Sequence, residues 1–124
     1  MNNILYKEQS YQIIGKCIEV HNNLGPGFLE IVYKDALEFE FLNAGIIYER
    51  EKKYDVHYKG VILRHKYFAD FVLHDKIILE VKSMSVISQI FIAQAINYLK
   101  VSDNQLALIV NFGELKLNYK RVVL

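Results

Sequence analysis

The sequence predicts an α/β domain in which helices pack on a mixed sheet. Its element order is one observation behind this: two segments of helical periodicity, several strand-like runs, a third helical segment, then two last strands. A second is a central pair of strand-like runs that is apolar on both sides. The third is size and composition. The 124 residues, 52% hydrophobic and 23% charged, suffice for a single layered core and make one domain over 1–124.

Residues from Tyr11 to Asn23 read as the first helix, with Ile14, Cys17, Ile18, His21 and Leu24 on one stripe. Leu24-Gly25-Pro26-Gly27 ends it, because glycine permits the left-handed conformation and proline cannot continue a helix. A second helix is predicted from Phe28 to Asn43, with Glu30, Tyr33, Leu37 and Phe41 at spacings of three and four. Strands follow around Ile46 to Val56 and Val61 to Arg64, split by Tyr58-Lys59-Gly60. After the central strands, a third helix runs from Val86 to Val101 with Ile87, Ile90, Gln94, Tyr98 and Val101 on one side. Asn104 to Asn111 and Leu115 to Val123 read as the closing strands.

The central run, from Tyr67 to Lys82, predicts a β-hairpin around His74-Asp75-Lys76. A turn centred on Asp75 sets Asp70 directly opposite Glu80, at a Cβ separation of about 4.5–5.5 Å. Lys82 then shares their face, together with Phe68, Val72 and Ile78. Ala69, Phe71, Leu73, Ile77, Leu79 and Val81 form the opposite, wholly apolar face. Such a hairpin serves equally as an edge with one solvated face, where Lys82 pairs with a carboxylate for little gain. The apolar company favours a site. Charges set in apolar strands are costly unless paired or metal-bound, and a divalent cation relieves the repulsion between two carboxylates.

Glu30 and Gln94 are polar residues on apolar stripes. Glu30 suits the start of a helix, where the dipole favours a carboxylate, and it also suits a third carboxylate aimed at Asp70 and Glu80. Gln94 and Tyr98, four apart, face the same way as either a polar rim or a pair of substrate contacts. His21, His57, His65 and His74 lack helical zinc spacing and Cys17 is the lone cysteine, so neither a zinc site nor an internal disulfide is predicted. No glycine-rich phosphate loop occurs. No apolar run approaches the ~20 residues of a membrane span, and no signal-peptide pattern opens the chain, so a cytoplasmic protein without a membrane role is expected. A net charge of +1 says little about partners, although a dedicated nucleic-acid binder is often more basic.

Gly27-Phe28-Leu29-Glu30-Ile31-Val32-Tyr33 resembles the signature of the GxxExxY protein family, a branch of the PD-(D/E)XK nuclease superfamily. The resemblance continues through Asp70, Glu80-Val81-Lys82, Gln94-Ala95-Ile96-Asn97-Tyr98, Asn111-Phe112-Gly113 and Lys120-Arg121, in order over nearly the whole chain. It implies a restriction-endonuclease-like core, a central mixed sheet flanked by helices. It also implies magnesium, with manganese as a substitute, held by Asp70, Glu80 and the Val81 carbonyl, with Glu30 completing the acidic cluster. Lys82 would act at the reacting centre, Gln94 would join the catalytic set, and Arg64, Tyr98 and Tyr33 would contact substrate.

The reading that follows is a magnesium-dependent nuclease acting on nucleic acid, with DNA the preferred expectation. A second is a catalytically silent module that keeps the nuclease fold and binds nucleic acid or protein. A third is a small oligomeric scaffold, since nine Tyr and seven Phe offer material for an interface. A homodimer is compatible with any of them. Arg64, Lys66, Lys82, Lys100, Lys120 and Arg121 form a candidate phosphate patch or an ordinary solvated surface.

Overall fold

In the computed structural model, which describes residues 4–124, the elements follow in the order α1 (Lys7–Leu24), α2 (Glu30–Asn43), β1 (Tyr48–Tyr54), β2 (His57–Tyr58), β3 (Val61–Ile62), β4 (Tyr67–Leu73), β5 (Ile77–Lys82), α3 (Gln89–Ser102), β6 (Leu106–Asn111) and β7 (Asn118–Val123). One sheet has the order β1-β4-β5-β6-β7, and β2 with β3 makes a separate ribbon. β5 and β6 are parallel while the other neighbours in the sheet are antiparallel, so the predicted mixed sheet is present. Parallel neighbours need a crossover, and α3 supplies it.

Helices cover both faces. α1 and α2 bury Ile13, Cys17, Tyr33, Leu37 and Phe41 against Phe71, Leu79 and Leu108. α3 buries Ala95 and Leu99 against Val72, Ile78 and Ile109 on the other side. This double cover explains why β5 and β6 are apolar almost throughout, Glu80, Lys82 and Asn111 excepted.

Two helical stripes differ from the predicted ones. In α1, Ile13 and Val20 are buried while Ile18 is 44% exposed, because the inward row runs through Ile13, Cys17 and Val20. In α3, the row against the sheet centres on Phe91, Ala95 and Leu99, one residue along from Ile90, Gln94 and Tyr98. One residue is a rotation of ~100°. Gln94 is therefore at the margin of α3, not on its core-facing row.

The β4–β5 hairpin has the predicted register, with Phe71, Val72 and Leu73 opposite Leu79, Ile78 and Ile77. His74 and Asp75 take φ of 54° and 59°, and the Lys76 N–H donates to the Leu73 carbonyl at 3.1 Å. The predicted alternation nevertheless fails at one point. Phe71 and Leu73 face α1 and α2, but Ala69 joins Tyr67 and Val72 on the α3 side. The faces switch across Asp70. Pairing of β4 with β5 stops at Phe71 and Leu79, and pairing of β1 with β4 skips Asp70 and Glu51. Glu51 lies in the left-handed region at φ 56°, which costs a non-glycine residue roughly 1–2 kcal/mol. An interrupted pleat at this place re-aims side chains, as bulges beside functional sites do.

Candidate functional site

Where the ladder opens, two carboxylates take over its hydrogen bonds. The Asp70 N–H donates to Glu80 Oε2 at 3.1 Å, and the Val81 N–H donates to Asp70 Oδ2 at 2.8 Å. Each acid thus bridges to the other's strand. Glu80 is 5% exposed, and its Oε1 accepts from the Tyr67 hydroxyl at 3.1 Å. Burial pushes the Glu80 carboxyl up to about 8, the Asp70 charge adds to the rise, and the bond from the Asp70 N–H opposes it. Burial and then the Glu80 charge likewise push the Tyr67 phenol above its ordinary range. Burial is the larger cause of both shifts and neighbouring charge the smaller.

Lys34 supplies one internal counter-charge. It donates to Asp70 Oδ1 at 3.0 Å and also pairs with Glu51. Burial pulls the Lys34 ammonium down, but the bonds to Glu51 and Asp70 outweigh it and hold its pKa above the ordinary lysine value. The strained Glu51 backbone and the Lys34 side chain thereby converge on the carboxylate that interrupts the sheet. The sequence reading missed both. Lys34 had a signal, since it lies four residues after Glu30 and so on the same face of α2. Glu51 had none, because its orientation depends on a backbone conformation that only tertiary contacts impose.

Lys82 ends β5, with Nζ 4.7 Å from the centre of the Phe91 ring, and it makes no ion pair among the described residues. Glu30, Asp70, Glu80, Lys82 and Tyr98 line one cleft of about 540 Å³, together with His65, Lys66, Tyr67 and Phe68. Tyr98 stacks on Tyr67 at 3.9 Å between ring centres. Burial, then the charges of Glu80 and Asp70, raise its phenol pKa.

The expected three-acid cluster is not present among the described residues. Glu30 is exposed at the first turn of α2 and accepts from the Ser83 N–H at 3.3 Å, which ties it to the loop after β5. Gln94 is half-buried, does not line the cleft and makes no side-chain hydrogen bond among the described residues. Tyr33 is not placed to touch substrate. It is fully buried, stacks on Phe112 at 4.4 Å, and donates to the Gly25 carbonyl at 2.5 Å while accepting from the Phe28 N–H. It therefore holds the turn before α2. Arg64 is exposed between β3 and β4, outside the lining of the cleft. Of the candidate phosphate patch, Lys66 and Lys82 line the cleft. Arg121 instead ties β7 to the chain before and within α1, donating to the Leu5 carbonyl at 2.6 Å and to Ser10 Oγ at 2.8 Å.

The donor set fits a hard divalent cation. Magnesium takes oxygen ligands, keeps several waters and is commonly held by one or two carboxylates. Asp70 and Glu80 offer such oxygens where each accepts a backbone N–H beside the other, and a cation there would favour the ionised Glu80 that burial disfavours. Among the described residues, no helix is long and apolar enough to cross a membrane.

The sequence profile of the PD-(D/E)XK nuclease superfamily matches residues 7–122. The fold resembles the crystal structure of SSO0001, with a TM-score of 0.58 and 15% identity over 95% of this chain. The chain spans 57% of that protein's length, and at this identity the likeness is one of fold. No curated protein matches the chain. A profile covering nearly every element, with the acidic pair and the lysine on the two central strands, makes the assignment: this protein belongs to the PD-(D/E)XK nuclease superfamily.

Proposed function

We propose that the protein is a magnesium-dependent nuclease of the GxxExxY branch that hydrolyses phosphodiester bonds of nucleic acid, DNA first among them. The observation that carries this reading is the Asp70–Glu80 pair in an opened ladder, facing one cleft with Lys82 two residues along. Asp70 and Glu80 would hold the metal, with the Val81 carbonyl as a further oxygen. When bound, magnesium acidifies water and offsets charge on the scissile phosphate. Lys82 brings an ammonium to the place where negative charge develops on that phosphate. Tyr67 orients Glu80 through its hydroxyl, and Tyr98 backs Tyr67 by stacking. Glu30, which lines the same cleft, is available to orient the attacking water.

One observation favours a second reading, a binding module that has kept the fold. Asp70 already carries an internal counter-ion in Lys34, so the pair is partly neutralised without metal. Cleavage separates the two. Labelled single-stranded, duplex and branched DNA are incubated with magnesium or manganese, beside Glu80→Gln purified identically. The nuclease reading expects metal-dependent cleavage that falls by at least about a hundredfold in Glu80→Gln, the scale of losing one preorganised electrostatic contact. Equal products from both proteins, or none from either on any substrate, would support the module.

A further inference from the structure

The cleft is apolar along one wall, beside its acids, and this wall bears on what the cleft receives. Phe68 is 51% exposed. It lies beyond Phe71, where the pairing of β4 with β5 stops, and there β4 keeps β1 as its paired neighbour. On this opened stretch the ring lines the cleft that holds Asp70 and Glu80. Val56 and Leu63 continue the wall, joined by the Leu63 N–H donating to the Val56 carbonyl at 2.9 Å. That bond closes the base of the β2–β3 ribbon, whose Tyr58, Val61 and Ile62 are each more than half exposed. The apolar wall of the cleft is thus Phe68 with Val56 and Leu63, and the ribbon stands at its edge.

The cleft's charges do not suit a grip on duplex phosphates. Glu30, Asp70 and Glu80 line it against the cations Lys66 and Lys82, and Lys66 is already paired with Asp55 at 3.0 Å. Duplex binding draws chiefly on phosphate neutralisation by Lys and Arg. A duplex also keeps its base faces stacked inside, out of reach of an aromatic ring. An unpaired strand exposes those faces, and stacking on aromatic side chains is sequence-tolerant and strong.

We propose that Phe68 is a base-stacking residue and that the cleft takes an unpaired strand. The inference rests on the nuclease reading of the same cleft and names its substrate form. Phe68 holds the nucleotide next to the acidic pair, and Lys82, which makes no ion pair among the described residues, meets its phosphate.

The test measures binding without cleavage. Wild-type protein in EDTA is titrated into a fluorescent single-stranded oligodeoxythymidylate and into a blunt duplex of equal length. A second oligonucleotide carries 2-aminopurine, whose fluorescence reports stacking. Single strand is expected to bind tighter than duplex and to quench the 2-aminopurine. Phe68→Ala is expected to weaken single-strand binding roughly 5- to 150-fold, the range of one lost base–aromatic stack. It should also abolish the quench and leave duplex binding unchanged, while Phe68→Trp restores both binding and quench. An unchanged melting temperature in Phe68→Ala shows that the fold is intact. Equal affinity for single strand and duplex, or single-strand binding and quench indifferent to Phe68, would overturn the inference. Tight, Phe68-dependent single-strand binding without cleavage would overturn the nuclease reading alone. Cleavage indifferent to Phe68 would overturn the stacking assignment alone.

Discussion

Asp70 concentrates the structure's unusual features in one residue. It breaks two strand ladders, reverses the pleat of β4, accepts from Val81 and Lys34, and donates its own N–H to Glu80. Glu80 bears the electrostatic consequence. Its folded pKa is raised to about 8, so the neutral form is the one that the metal-free fold favours. The associated stability is fully present below the ordinary glutamate value and is lost as pH rises through about 8. Without metal, the melting temperature is therefore expected to fall between pH 5 and pH 9, and to fall less in Glu80→Gln. If Asp70 and Glu80 hold magnesium as proposed, magnesium is expected to reverse the trend, since binding needs the ionised carboxylate and strengthens as pH rises. Thermal melts in EDTA and in magnesium across that range check both signs. A flat wild-type profile in EDTA would contradict the placement of Glu80.

The β5–β6 pair shows how an element secures the site. Asn111, at the end of β6, accepts from the Met84 and Gly113 N–H groups through Oδ1 and donates to the Met84 carbonyl and Glu114 through Nδ2. It thus pins the loop that follows Lys82. Gly113 is required for space: a Cβ there would overlap the Met84 backbone. Gly113→Ala is expected to destabilise by about 1–3 kcal/mol, the cost of overpacking, which lowers the melting temperature by several degrees. A calorimetric melt measures it, and an unchanged midpoint would show that the loop moves aside freely. Elements of this kind were partly legible in the sequence. The hairpin register followed from its turn and from the apolar runs on each side, and the order of helices and strands followed from their periodicities. The reversal of faces at Asp70 was not legible, because a period-two pattern cannot announce its own interruption. Nor was the rotation of α3. Its residues are apolar on several sides, so Phe91-Ala95-Leu99 and Ile90-Gln94-Tyr98 look alike until a sheet selects one row. Tyr33 misled for a related reason: a buried tyrosine whose hydroxyl bonds only backbone has the same spacing as one facing a ligand.

At the scale of the whole molecule, helices on both faces make the central strands apolar, and the acidic pair lies where the pairing of β4 with β5 stops. The cleft opens between the start of α2, the end of β5 and the β2–β3 ribbon. A charge-bearing site can exist there because the rest of the sheet supplies the stabilising burial. We propose Asp70 and Glu80 as a divalent-cation site, and this proposal is directly testable. The most direct measurement is calorimetric titration of manganese into the metal-free protein at pH 8, wild type beside Asp70→Asn, with melts confirming that both are folded. Saturable binding by the wild type is expected, with at least about a tenfold loss of affinity in Asp70→Asn, as removal of a charged ligand requires. Equal binding by the two folded proteins, or none by the wild type, would contradict it.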